Sequence, residues 1–275
     1  MEKYYSTEHE YLVFSCGKQL FSLPYAHLVT VIDSPVWTPV PNAPAHVRGV
    51  IRFHEKSIPF YDCRVKVGLD SCRVETEKTI DALKQRKEDH INWINRLKEE
   101  VHGGQMITVQ TDHHKCAFGR WYDDFSSESP NLKVFMERFD EPHQQIHQIA
   151  IEAKKLIADN RHEEAKRLID NTENTLLKQL IKLFDSSGDK IRRFSYEYGI
   201  VIDYPGWDMV AISADSLKRF ERFDEVIHPL PAVFSGNSFN FIDAIGRQTR
   251  NEREFEDVLI INLEKFLAND LNDRV

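Results

Sequence analysis

The sequence predicts an α+β fold with its helices gathered in the middle of the chain. Three observations carry this. Residues 11 to about 70 form short apolar-rich runs broken by glycine and proline. From about Glu75 to Ser195 the apolar residues recur every three or four positions, and after Tyr196 short β-branched runs return.

Each element follows in order. "YLVFSCGKQLFSLP" at 11–24 predicts a hairpin about its Cys-Gly-Lys-Gln turn, and "VTVIDS" alternates with period two. "PVWTPVPNAPAH" carries four prolines and suits neither a central strand nor a helix interior. "VRGVIRF" and "SIPFYDCRVKV" predict a second strand pair around "HEKS". Ile80, Leu83, His90, Ile94, Leu97 and Val101 share one helix stripe, and Ile146, Ile149, Ala150, Ala153 and Ile157 make another. A third runs from Ala165 through Leu168, Ile169, Thr172, Leu176 and Leu180 to Phe184, with Asn160 as a short connection before it. "SSGDK" at 186 is expected to close the helical stretch. "YGIVIDY", "DMVAISADSL" and "DVLIINLEKFL" then read as strands, separated by turns such as "PGW" and "SGNS". This order fits three successive domains, or one β domain of about 150 residues with a helical domain inserted in a loop.

Composition narrows the function. The 275 residues are 41% hydrophobic and 29% charged, as in soluble globular proteins. A formal net charge of −8 argues against nucleic acid as partner, and "KIRRF" reads as a solvated helix end. The polar N-terminus does not read as a signal peptide, and no apolar run approaches the roughly 20 residues of a membrane span. A cytoplasmic protein without membrane insertion is expected. Cysteines 16, 63, 72 and 116 have no disulfide-framework spacing. Cys16 and Cys63 read as core residues on strands, and Cys72 as exposed in a junction loop.

Four residues of the helical stretch read together. His90 lies on an apolar stripe, Cys116 opens "CAFGRWY", and His143 and His147 leave one helix face a turn apart. Singly, each has a plain explanation in packing or in chance spacing among 12 histidines. Jointly, three imidazoles and a thiolate form a closed tetrahedral donor set of the kind Zn²⁺ favours, and facing helices can gather them in a bundle core. "HQQIH" lacks the glutamate of a zinc hydrolase, and four protein ligands leave no open position for water. No catalytic residue is assigned. His113 and His114, adjacent in sequence, read as exposed.

The motifs "HINWINRL", "CAFGRWY" and "PHQQIH" resemble the chemoreceptor zinc-binding (CZB) family over about 75–190. The resemblance implies a four-helix bundle, zinc ligands at His90, Cys116, His143 and His147, and supporting positions at Trp93, Gly119 and Trp121. The flanking stretches "VPNAPAHVRGVIRFHEKSIPFYDCRVKVGL", "GIVIDYPGWDMVAISADSLKRFERF" and "LIINLEKFL" resemble the CheW family of chemotaxis adaptors. That likeness implies two small five-stranded β-barrels, interrupted soon after Leu69, and coupling of a chemoreceptor to a CheA-like histidine kinase. The expected domains are 1–72 and 196–275 for the CheW-like part and 73–195 for the insert. His54 and Glu55 stand where that family has arginine and glycine on a functional surface, which implies an intact barrel with a shifted partner preference. A related bundle can also pair into a homodimer. The expected protein is a non-enzymatic signalling adaptor modulated by zinc occupancy or by oxidation of Cys116. The competing readings are a constitutive scaffold with structural zinc, or a zinc-dependent enzyme.

Overall fold

The computed structural model describes residues 5–228, 240–251 and 254–268; the "SGNS" turn lies outside them. The chain divides into two compact units, Met1–Arg73 with Tyr196–Val275, and Val74–Ser195.

The first unit opens with strands β1 (Tyr11–Cys16), β2 (Gln19–Pro24), β3 (Leu28–Asp33), β4 (Trp37–Thr38), β5 (Val47–Phe53) and β6 (Lys56–Tyr61), then helix α1 (Cys63–Lys66). The helices of the second unit are α2 (Cys72–His102), α3 (Ala117–Asp123), α4 (Pro130–Met136), α5 (Asp140–Ala158), α6 (His162–Thr172) and α7 (Lys178–Phe194). The chain then re-enters the first unit with β7 (Tyr198–Ile202), β8 (Val210–Ala214), β9 (Ser216–Glu221), β10 (Glu225–Ile227), β11 (Ile242–Asn251), β12 (Glu254–Ile261) and α8 (Leu263–Ala268).

Two six-stranded sheets result, ordered β10-β11-β12-β2-β1-β9 and β3-β7-β8-β6-β5-β4. Each mixes strands from before and after the helices: β7 pairs antiparallel with β3, β8 parallel with β6, and β12 parallel with β2. The two β stretches thus complete one another's ladders. Phe14, Phe21, Ile200, Ile212, Ile261 and Phe266 share one buried core.

Some expectations are corrected here. The sheets are open among the described residues, with six strands each, where two five-stranded barrels were expected. A closing ladder needs a run of paired residues. At one edge β4 has two, flanked by Pro35, Pro39 and Pro41, which have no N–H to donate, and at another β10 has three. "SIPFYDCRVKV" is a strand only as far as Tyr61, because the Asp62 carboxylate accepts from the Val65 N–H and caps α1. "LEKFL" is helical rather than extended. Cys16 and Cys63 are buried as expected, but Cys72 is half-buried at the start of α2.

The helical unit is built on three long rods, α2, α5 and α6–α7, the last continuous through a π turn at Glu173–Leu177. Ion pairs Glu77–Arg192, Lys87–Asp185 and Lys98–Glu173 ascend α2 while descending the third rod, so those two run antiparallel. In place of a fourth long helix are α3 and α4, because Gly103, Gly104 (φ +65°) and Pro130 interrupt the pattern. Asn160 adopts φ +59° and reverses the chain between α5 and α6. "SSGDK" does not close the helical stretch. Gly188 lies inside α7 beside Ile80 of α2, and the helix continues to Phe194.

Candidate metal centre

The stripe that buries Ile94 and Leu97 of α2 also buries His90, and the matching face of α5 buries His143 and His147. Their exposures are 4%, 3% and 1%, which leaves imidazoles almost without water. Cys116 joins them from the turn ahead of α3. One ligand atom from each of the four residues lies within 4.8 Å of the other three. A tetrahedral zinc shell spaces its donors by about 3.5 Å, the scale of this cluster.

The cysteine turn depends on Gly119. Cys116 is the N-cap of α3, and its sulfur accepts from the Gly119 N–H at 3.1 Å while approaching His143 Nε2 at 3.2 Å. A Cβ on Gly119 would sit 1.8 Å from the His113 carbonyl oxygen, so only glycine lets α3 begin this close to the preceding loop.

The histidines are aimed by backbone carbonyls. Nδ1 of His90 is 2.7 Å from the Arg86 oxygen, and Nδ1 of His147 is 3.0 Å from the Gln110 oxygen. A carbonyl only accepts, so each Nδ1 carries the proton and each Nε2 keeps its lone pair. Those two Nε2 atoms are buried with no hydrogen-bond partner among the described residues. Such orphans cost on the order of 1–3 kcal/mol each, a penalty that a metal ion bound among them removes.

Electrostatics point the same way. Burial lowers the pKa of His143 to about 2, helped by repulsion from His90 and His147, and lowers that of His147 to about 4. His90 is lowered by burial as well. All three imidazoles are therefore neutral, the form that binds metals. Burial pushes the Cys116 thiol up against the pull of the Gly119 and Phe118 N–H groups, and a nearby divalent cation reverses that balance toward thiolate. The donor set fits Zn²⁺.

Residues 10–88 match the family model of the CheW-like domain. Residues 90–154, which contain all four cluster residues, match that of the chemoreceptor zinc-binding domain. The chain joins a CheW-like domain to a chemoreceptor zinc-binding domain. The crystal structure of the scaffolding protein TtCheW from Thermoanaerobacter tengcongensis is similar over 96% of this chain and 90% of its own, at 11% identity and a TM-score of 0.44. No curated protein matches the chain. The CheW-like match continues into α2, and the zinc-binding match starts at His90 itself. No helix among the described residues is long and apolar enough to cross a membrane.

Around the centre of the zinc-binding domain, Trp93 packs its ring 4.8 Å from that of His147 and donates its indole N–H to the Gln110 oxygen at 2.9 Å. Trp121 stands further out, half-buried against Phe118 and Phe125. His114 is exposed and paired with Asp123, but His113 is half-buried, with its ring 5.9 Å from that of His143. Its expected exposure is corrected, because the carbonyl that seats Gly119 and the Cys116 thiol holds it beside the cluster. The carbonyls of Arg86 and Gln110 carry no side-chain signature in the sequence. Arg86 was reachable only as the residue one helical turn before His90, and Gln110 sits in a loop with no periodicity.

In the CheW-like domain, His54 and Glu55 form the exposed two-residue turn between β5 and β6. His54 itself takes the positive φ, +51°, so the turn forms without the glycine that the family resemblance places there.

Proposed function

We propose that the chain is a chemotaxis-type adaptor that couples a chemoreceptor to a CheA-like histidine kinase through its CheW-like domain. Zinc held by His90, Cys116, His143 and His147 modulates that coupling. The observation that carries this reading is the cluster of four donor atoms, two of them orphaned Nε2 atoms, in a chain that also carries a CheW-like domain. Four protein donors fill a tetrahedral shell and leave no position for a reacting water, which favours a non-enzymatic role.

Oxidation offers the control. The Cys116 thiolate attacks hypochlorous acid, giving in net terms a sulfenic acid and chloride, and the sulfenic sulfur is the poorer ligand. Structural zinc supplies on the order of 10 kcal/mol, so losing one of four donors shifts the stability of the helical unit appreciably. The crossing points of the chain are tied within the β unit by two arginines, Arg64 buried and Arg48 half-buried. Arg64 donates to the Asp70 carbonyl just before α2 at 2.8 Å, and Arg48 grips Glu197 just after α7. A change of packing in the helices would be felt at Asp70 and Glu197, and through them in the strands of the adaptor.

Metal analysis by mass spectrometry tests this on protein purified without added metal, before and after about one equivalent of hypochlorite. About one zinc per chain that falls after oxidant, together with changed affinity for a receptor tip or kinase, supports the sensor. Zinc that stays, with partner affinity unmoved, favours a constitutive scaffold with structural zinc. Absence of zinc overturns the ligand set.

A further inference from the structure

His113 is not among the four clustered donors, yet it stands at their edge. Its ring centroid is 5.9 Å from that of His143, closer than the 6.2 Å between His90 and His147, both members of the cluster. It is three residues before Cys116, and its own carbonyl accepts from the Cys116 sulfur at 3.3 Å. The ring is half-buried, and neither nitrogen takes part in a hydrogen bond among the described residues. The neighbouring His114 is engaged elsewhere, with Nδ1 3.0 Å from the Asp123 carboxylate.

From this geometry we infer that His113 is a reserve zinc ligand, which takes the fourth position when Cys116 can no longer supply a thiolate. The inference rests on the proposed ligand set and deepens it. Cys116 and His113 occupy the two ends of one short turn, so the segment that loses a sulfur donor brings an imidazole to the same side of the ion. The centre then passes from three nitrogens and one sulfur to four nitrogens, both sets that zinc accepts. Loss of the thiolate would change the charge and packing of the turn and weaken the hold on the metal, with His113 slowing its release.

The test is zinc affinity by chelator competition on the full chain, as Cys116→Ala, His113→Ala and the double variant. His113→Ala alone should change affinity by less than about threefold, because the sulfur is in place. Cys116→Ala should keep about one zinc per chain with affinity lowered about 10–100-fold, and adding His113→Ala should remove a further tenfold or more. His114→Ala in the Cys116→Ala background should have no such effect. Cobalt-loaded Cys116→Ala and the double variant should differ in their visible bands, because water replaces an imidazole in the latter. If Cys116→Ala fails to fold, hypochlorite-treated unaltered chain should release zinc more slowly than treated His113→Ala chain. Equal affinity of the single Cys116→Ala and double variants, or equal release after oxidant, overturns the role of His113. A lack of zinc in the unaltered chain instead removes the ligand set beneath it.

Discussion

Gly119 shows how much of the metal centre rests on one missing side chain. With a Cβ placed 1.8 Å from the His113 oxygen, Gly119→Ala must push α3 off the loop and carry the Cys116 sulfur with it. Zinc affinity is expected to fall about 10–100-fold, the range for losing the support of a ligand, and chelator competition measures it. The histidines predict a pH dependence of the metal-free chain. Unfolded imidazoles protonate near about pH 6.5, whereas His147 does so near about 4 and His143 near about 2 in the folded unit. Between those values the unfolded state binds more protons, so stability is lost as pH falls below about 6.5 and is retained above it. Thermal unfolding of the chelator-stripped chain should show the midpoint dropping between about pH 7 and pH 5. A midpoint flat across that window would mean the imidazoles are not held neutral.

Among the elements, α7 shows where local composition misleads. Ser186, Ser187 and Gly188 have the residue types of a loop, yet the Ser187 hydroxyl donates back to the Phe184 carbonyl at 2.7 Å and the helix continues. Packing against α2 outweighs the propensity of one glycine. A Cβ at Gly188 would lie 3.7 Å from the Ile80 side chain, an ordinary contact, and the backbone is helical. Gly188→Ala should therefore raise stability by about 0.5–1 kcal/mol, read as a higher denaturant midpoint of the helical unit. Helix α1 is the converse case. Val65 and Val67 favour a strand, but the Asp62 side chain at the N-cap and the pairing of β6 with β8, already ended at Tyr61, turn the chain.

At the scale of the whole molecule, largely covered ion pairs secure the β unit where the helical segment leaves and returns. Arg48 lies between Asp62, at 2.7 Å, and Glu197, with side-chain exposures of 10%, 2% and 11%. Burial opposes the guanidinium charge, but the two carboxylates outweigh it and hold the Arg48 pKa above its ordinary value. Arg48→Met leaves both carboxylates unpaired and should cost about 3–5 kcal/mol in denaturant unfolding of the β unit. Zinc content is the accompanying readout, and it should be unchanged because every proposed ligand belongs to the other unit. Chelation should do the reverse, lowering the unfolding midpoint of the helical unit and leaving that of the β unit in place.

The sequence by itself determined the order of β, α and β stretches, the buried stripe of α2 and the turn at Asn160, and its likeness to the chemoreceptor zinc-binding family singled out the four residues whose donor atoms meet. The stripe, the turn and the motifs are short-range matters. Period, turn chemistry and donor type are all written in residues a few positions apart. Only the tertiary structure decided the six-stranded open sheets, the replacement of a fourth long helix by α3 and α4, and the nearness of His113 to His143. It alone showed the carbonyls of Arg86 and Gln110 aiming two imidazoles, and why position 119 has to be glycine. Those depend on backbone atoms and on partners distant in sequence. A carbonyl is the same at every residue, and its role is decided by what the fold brings against it.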